Sequence, residues 1–365
     1  MTNSCATLSI ADTPVSADPV GSVCEGQGVL GVAVDWVANS RNRKKMILVT
    51  GAGGFVGTAV VSELAKQGIS YRAVTREPRE GYFSIGNITP QTDWTAALDG
   101  VDSIIHLASR AHVMNEAVAD PIAHFRSVNV DSTLSLARQA IKSGVKRFVF
   151  ISSIKVNGEA TEPGRPFTAE DPPNPQNPYA QSKLDAEQGL LALSRGSSLE
   201  VTVIRPPLVY GPGVKANFAT MMDWVNRGIP LPLGSVHNRR SFVFVGNLAD
   251  LIVLTAIHPN AGGQVFLVSD GEDISTTELF RKIAQALGRP SLVMPLPASL
   301  VTLMAAAIGQ SAVASRLIDS LQVDVSKTRA LLGWEPRKNI SEGLRQTARS
   351  FQRPDRHLDR EARSA

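Results

Sequence analysis

The segment Tyr179-Ala180-Gln181-Ser182-Lys183 sets a phenol and an ammonium four residues apart, a spacing that puts both on one face of a helix. A free phenol ionises near ~10, so acid–base work at neutral pH asks for about 4 kcal/mol of help. A neighbouring ammonium gives such help by favouring the phenolate. The chemistry this pair suits is proton exchange with a hydroxyl or a carbonyl oxygen. Upstream, Phe148-Val149-Phe150-Ile151-Ser152-Ser153 reads as a buried strand ending in hydroxyls that can hold such an oxygen. Taken alone, Tyr-x-x-x-Lys is also what an ordinary helix face looks like.

A second constellation lies ahead of it. The apolar run Met46-Ile47-Leu48-Val49-Thr50 leads into Gly51-Ala52-Gly53-Gly54-Phe55-Val56-Gly57, and a helical pattern follows. Gly51 permits a tight turn off the strand, Gly54 lets backbone approach a pyrophosphate, and Gly57 lets the helix pack against the sheet. The free amides of Phe55 and Val56, at the positive end of the helix dipole, then face the phosphates. Glycines in a strand–turn–helix context of this kind predict dinucleotide binding.

The identity of the dinucleotide turns on the end of the second strand. An NAD site usually has Asp or Glu about 20 residues on, to hold the ribose hydroxyls. This chain has Ala73-Val74-Thr75-Arg76-Glu77-Pro78-Arg79. Arg76 in place of the acid suits the extra 2′-phosphate of NADP(H), with Arg79 nearby. A solvated surface arginine is the competing reading, and NAD(H) stays open. Gly86-Asn87-Ile88 is placed to close over the adenine, with Asn87 as hydrogen-bonding residue.

Elements that would position these groups follow from periodicity. Met46 to Thr50, Tyr71 to Thr75, Ser103 to Leu107, Phe148 to Ser152, Val201 to Arg205 and Val265 to Val268 read as buried strands. Val56 to Gln67, Ile122 to Lys142, Gln181 to Leu193 and Leu248 to His258 read as helices between them, and Asp171 to Pro178 as a loop. Such alternation predicts an α/β fold: a Rossmann-type, doubly wound parallel sheet. Asn217 to Asn226, Thr276 to Leu287 and Ser341 to Ser350 are the helices of a smaller mixed C-terminal substrate-binding domain. The expected layout is a poorly ordered extension over 1–45, a dinucleotide-binding domain over 46–211 with 241–273 returning to it, a substrate domain over 212–240 and 274–350, and a polar tail over 351–365. Met46 is a candidate natural start, which mass analysis of the N-terminus would check.

Composition narrows the classes. The 365 residues are 43% hydrophobic and 19% charged, as in globular chains large enough to fold without staples. Cys5 and Cys24 are the two cysteines, so a disulfide scaffold or cysteine-rich metal module is excluded; no metal is expected, and a cytoplasmic, reducing setting is. A net charge of +4 without a dense basic run argues against nucleic acid as a partner. The apolar stretch Leu296 to Gly309 falls short of the ~20 residues of a membrane span and reads as a buried helix.

Together these motifs resemble the extended short-chain dehydrogenases/reductases of the sugar-nucleotide epimerase/dehydratase family. The resemblance runs from about Met46 to Ser350. It rests on Val49 to Gly57, Ile105-His106-Leu107-Ala108, Val128-Asn129-Val130, Ile151-Ser152-Ser153, Tyr179 to Lys183, and Arg205-Pro206-Pro207-Leu208-Val209-Tyr210-Gly211-Pro212-Gly213. It implies a catalytic triad of Ser153, Tyr179 and Lys183, with Lys183 also binding the nicotinamide ribose. It further implies support from Asn129, and a cofactor pocket lined by His106 to Ala108 and by Pro206. A UDP sugar is the implied substrate. Asn217 and Arg240 match positions that hold its diphosphate. Ala314 and Leu317 replace a family pair on the uridine, which leaves Arg316 as the substitute. Ser109, Arg110, His112 and Lys155 are candidates to line the sugar pocket; for His112 a structural role stands equally. The family suggests a homodimer.

Family dehydratases follow the triad hydroxyl with Asp-Glu, and decarboxylases keep the Glu. Here Ile154-Lys155 stand there, and neither replaces a carboxylate as proton carrier, so both reactions are set aside. Two remain. Arg76, with the runs Ser152 to Glu159, Val214 to Phe218 and His237 to Ser241, makes the chain most similar to bacterial 4-ketoreductases. Those enzymes reduce UDP-2-acetamido-2,6-dideoxy-4-hexuloses with NADPH for surface polysaccharide. The alternative is a UDP-glucose or UDP-GlcNAc 4-epimerase with bound NAD. A non-catalytic nucleotide-sensing or scaffold protein is a third reading, disfavoured because both Tyr179 and Lys183 are present.

Overall fold

The computed structural model describes residues 45–110, 121–162, 164–297, 303, 315 and 317–352. The expected extension, the tail, most of the Leu296 to Gly309 stretch, His112 and Arg316 lie outside the described residues.

Among the described residues the chain runs β1 (Met46–Thr50), α1 (Phe55–Lys66), β2 (Tyr71–Thr75), β3 (Phe83–Ser84), α2 (Thr95–Leu98), β4 (Val101–His106) and α3 (Pro121–Phe125). A π-helical turn over Arg126–Asp131 joins α3 to α4 (Ser132–Lys142), and β5 (Arg147–Ile151), α5 (Pro178–Arg195), β6 (Glu200–Arg205) and β7 (Leu208–Tyr210) follow. Then come α6 (Ala216–Asn226), β8 (Arg240–Phe244), α7 (Val245–Ile257), β9 (Val265–Leu267), β10 (Asp273–Ile274), α8 (Thr276–Leu287), α9 (Ser326–Leu332) and α10 (Ile340–Gln352).

A seven-stranded sheet has the order β3-β2-β1-β4-β5-β6-β9, and every neighbouring pair is parallel. Both faces are covered, which is why these strands are apolar at consecutive positions. Ile47 and Val49 join a core with Val60 and Leu64 of α1 and Leu248 and Ile252 of α7. Leu48, Phe148 and Phe150 join the opposite core with Leu136 of α4 and Leu190 of α5. Strand order reverses between β1 and β4, the switch point where open α/β sheets bind ligands at their carboxyl ends.

A small mixed sheet, β10-β8-β7, pairs β8 antiparallel to β10 and parallel to β7. Its own core gathers Tyr210, Phe218, Met222, Phe242, Phe280, Ile283, Ile340 and Leu344. β8 therefore belongs to the small sheet, whereas α7 packs on the large sheet and β9 forms its edge.

The expected helix Ile122 to Lys142 is a helix, a π turn and a second helix in succession. One extra residue per turn in the middle aims Asn129 inward, where it is 1% exposed. Two other differences are small: α5 starts at Pro178, three residues ahead of the expected start, and α7 at Val245, directly after β8.

Candidate active site

At the switch point, Gly51 has φ +67, and a Cβ there would lie 2.8 Å from the Ala108 amide. The β1 and β4 loops touch back to back, so only glycine fits. A Cβ on Gly57 would collide with the Gly51 carbonyl, so the helix closes on the turn. Gly54 caps α1 with no side chain to offer, and the first turn holds no acid. The amides of Phe55, Val56 and Gly57 have no carbonyl one turn back, which makes this helix end a set of donors for an anion. That donor set, together with a turn that tolerates no Cβ, fits the pyrophosphate of a dinucleotide.

β2 ends beside this turn, where the Ala52 amide donates to the Val74 carbonyl at 3.2 Å. Arg76 is exposed there. Arg79 instead lays its guanidinium over the Tyr82 ring, 4.6 Å from the centroid. Asn87 is exposed, and Ile88 packs on the core below α2 and β2.

At the end of β4, Leu107 and Ala108 are partly exposed, and Ser109 and Arg110 more so. Asn129 clamps the Arg110 backbone, its Oδ1 accepting from the amide at 2.8 Å and its Nδ2 donating to the carbonyl at 3.0 Å. The same Nδ2 lies 3.0 Å from Ser182 Oγ, which ties the π turn to α5.

α5 is started by Asn177, whose Oδ1 accepts from the Ala180 amide at 2.9 Å, with Pro178 as first helical residue. Tyr179 and Lys183 share the face turned to the sheet. Lys183 is 2% exposed, and its ammonium donates to the Ile151 carbonyl at 2.8 Å and sits 4.6 Å over the Phe150 ring. Burial pushes its pKa down to about 7, against the charge of Glu187 one turn on. Burial pushes the Tyr179 phenol up to about 12, opposed by a side-chain hydrogen bond with Ser109. The sequence suggested that the ammonium would lower the phenol pKa. In the structure desolvation sets it instead, because Lys183 is directed to the end of β5.

Ser152 and Ser153 follow β5 directly. Ser153 Oγ accepts from the Lys155 amide at 3.3 Å and opens a 3-10 turn over Ile154–Val156. The Pro206 carbonyl holds that turn through the Ile154 amide at 3.0 Å. Ser152 Oγ is buried with no hydrogen-bond partner among the described residues.

Lys155 pairs with Glu159 at 3.2 Å, and Asn177 Nδ2 donates to the same carboxylate oxygen. Arg240, at the start of β8, donates to the Asp319 carbonyl at 2.7 Å. Burial lowers its pKa, and the charges of Asp319 and Glu159 oppose that. Glu159 thus links Lys155 to the cap of α5, and its charge favours the charged form of Arg240. Asn217 stands exposed in the first turn of α6, after Ala216 at φ +52, and no hydrogen bond of its side chain brings it to this group.

The structure thus draws Ser109, Arg110, Asn129, Tyr179 and Lys183 together around the ends of β4 and β5, and Lys155 with the cap of α5 through Glu159. Sequence reasoning missed Asn177, Glu159, Ser182 and Glu187. Asn177-Pro178 carried a readable helix-start signal, and Glu187 follows Lys183 at helical spacing. Glu159 had no such signal, since its contacts span a loop. Among the described residues, no group of three or more His, Cys, Asp or Glu could hold a metal ion, and no helix is long and apolar enough to cross a membrane.

A doubly wound sheet with a glycine turn at its switch point and a tyrosine–lysine helix at the next strand ends defines a nucleotide-dependent α/β enzyme class. The chain belongs to the NAD dependent epimerase/dehydratase family, which it matches over residues 47–269. It is 47% identical over 317 residues to a UDP-glucose 4-epimerase of Vibrio cholerae, covering 85% of this chain and 97% of that one. It is 32% identical over 329 residues to a UDP-glucose 4-epimerase of Mycolicibacterium smegmatis, covering 83% and 97%. Among solved structures it resembles MoeE5 in complex with UDP-glucose and NAD, at TM-score 0.68 and 26% identity over 84% of this chain and 98% of that chain. It also resembles the Thermus thermophilus UDP-glucose 4-epimerase complex with NAD, at TM-score 0.68 and 25% identity, covering 85% and 99%.

Proposed function

We propose that the chain is an NAD-dependent UDP-hexose 4-epimerase, with UDP-glucose and UDP-galactose as the pair to test first. The observation that carries this reading is the Tyr179–Lys183 helix set beside the switch-point glycine turn, in a chain 47% identical to a UDP-glucose 4-epimerase. It displaces the 4-ketoreductase as the first reading.

The residues that would hold the dinucleotide are the amides of Phe55 and Val56 at the pyrophosphate, Leu107, Ala108 and Pro206 along the walls, and Lys183 at the nicotinamide ribose. Arg76, Asn87 and Ile88 lie at the adenosine end. Bound there, the dinucleotide supplies the reversible two-electron hydride acceptor that inversion of a carbinol carbon requires. Tyr179 takes the proton of the sugar 4-hydroxyl and later returns it. Ser153 holds the same oxygen by a hydrogen bond. Lys183 has further N–H donors beyond the one given to Ile151, which leaves it able to hold the ribose hydroxyls. Arg240 meets the diphosphate, while Asn217 and Arg316 contribute to the nucleotide end. Ser109, Arg110 and Lys155 face the hexose.

Arg76 favours the second reading, an NADPH-dependent 4-ketoreductase of UDP-4-keto-6-deoxy-N-acetylhexosamines, because a guanidinium suits a 2′-phosphate. One experiment separates them. The purified protein is given UDP-galactose without added reductant, and separately UDP-4-keto-6-deoxy-GlcNAc with NADPH. UDP-glucose formation without net nicotinamide turnover supports the epimerase. Stoichiometric NADPH oxidation with no UDP-glucose assigns the reductase. If Arg76→Ala leaves the NADP/NAD affinity ratio unchanged, Arg76 does not select the cofactor.

A further inference from the structure

Thr50, His106, Thr133 and Asn129 form one line of hydrogen bonds across the buried end of the sheet. Thr133 Oγ1 donates its single proton to the Asn129 carbonyl at 2.8 Å. It therefore offers only a lone pair to His106 Nε2, 3.0 Å away, and that nitrogen must carry the ring proton. Burial, aided by the Lys183 charge, holds the imidazole neutral, its pKa lowered to about 3. Nδ1 is then bare and accepts from Thr50 Oγ1 at 2.8 Å. Thr50 Oγ1 in turn accepts from the Ala108 amide at 3.3 Å. Every proton in the line points from the β4 loop towards Asn129. Beyond it, Asn129 donates to Ser182 Oγ, and Ser182 donates to the Tyr179 carbonyl at 2.7 Å.

We propose that His106 is a positioning residue whose Nε2–H form ties the loop after β4 to Asn129 and, through Ser182, to the turn of α5 that carries Tyr179. The proposal rests on the reading of Tyr179 given under Proposed function. His106 touches no substrate. Its ring lies between Thr50 of β1 and Thr133 of α4, near the Phe148 and Phe150 rings at 5.6 and 6.1 Å, and it acts by fixing where Asn129 and the first turn of α5 stand.

The first test needs no turnover. Long-range nitrogen–proton spectra of histidine-labelled wild-type protein, with this ring assigned by its contacts to Phe148 and Phe150, are recorded at pH 5.5 and pH 8. One unchanged Nε2–H signal is expected. A proton on Nδ1, or titration of the ring across this range, overturns the proposal. The second test is kinetic. The amide of His106→Gln can accept from Thr50 and donate to Thr133, so kcat should stay within about threefold of wild type, whereas His106→Leu should lose about 100-fold in kcat at constant KM, as misplaced reacting groups do. An undiminished Leu variant, or equal losses in both, overturns it. If His106→Leu does not fold, Thr133→Val breaks the same line with its shape kept, and an unchanged kcat there is equally fatal. A wild-type protein that turns over no UDP sugar defeats the functional reading, while the spectra still decide the role of His106.

Discussion

Glu187 and Arg205 meet in a two-point ion pair beneath Lys183, Nε to Oε1 at 3.1 Å and Nη2 to Oε2 at 2.6 Å, with side chains only 2% and 5% exposed. Arg205 spends a further N–H on Asn157 Oδ1 at 3.0 Å. The pair joins α5 to β6, and Glu187 is also the negative charge that supports the buried Lys183 ammonium.

Removal of one partner strands the other. Glu187→Ala should lower unfolding stability by about 3–5 kcal/mol, because an uncompensated guanidinium is left in the interior. Urea unfolding at pH 7 measures it. A loss below about 1 kcal/mol, the range of exposed pairs, would show that Arg205 reaches water.

Lys183 gives a pH signature. Its folded pKa of about 7 lies below the ordinary 10.5. Between these values the unfolded chain holds the proton and the folded chain does not, so this group makes stability rise with pH across that window. Below about pH 7 both states are charged and the full burial penalty applies. Lys183→Met should therefore be more stable than wild type at pH 6.5, with the gap closing towards pH 10. Unfolding midpoints of both proteins, freed of dinucleotide, test this, and a gap that widens with pH contradicts it.

Gly57→Ala forces a methyl into the Gly51 carbonyl. Overpacking of this kind costs about 1–3 kcal/mol. The helix end that carries the Phe55 and Val56 amides must also shift, so NAD affinity should fall far more than stability. Calorimetric titration with NAD, beside a melting curve, checks both. Unchanged affinity would place the pyrophosphate elsewhere.

Tyr179→Phe keeps the ring, including its edge contact with Phe125 at 6.2 Å, and removes the proton carrier. Turnover should fall by about 100- to 10,000-fold, the range for a lost general acid–base group. NAD affinity should change little. A variant that retains turnover would require another residue to move the proton.

Parts of this fold were legible because local signals agreed. The strands Met46–Thr50 and Tyr71–Thr75 fall on the residues expected, since they are short apolar runs closed by a glycine turn and by an arginine. α8 also starts and stops as expected, with Ser275 and Glu278 forming a capping box and Gly288 in the left-handed region after it. The π turn was hidden, because a single added residue does not break helical periodicity over 21 positions from Ile122 to Lys142. The small sheet was hidden too: β10 has two residues, β7 has three, and their pairings with β8 span loops and helices. At the site, residue types and spacing pointed to the phosphate turn and to the phenol. The line from Thr50 to Asn129 joins four elements, so no spacing in the chain could reveal it.

Under the proposed function, this protein inverts carbon 4 of a UDP-hexose while Tyr179 carries only the hydroxyl proton. The most direct measurement uses UDP-galactose deuterated at carbon 4, incubated with the protein in ordinary water and followed by NMR. UDP-glucose that keeps its deuterium at carbon 4 is the expected product. UDP-glucose that has exchanged that deuterium for solvent hydrogen, or no UDP-glucose at all, would contradict it.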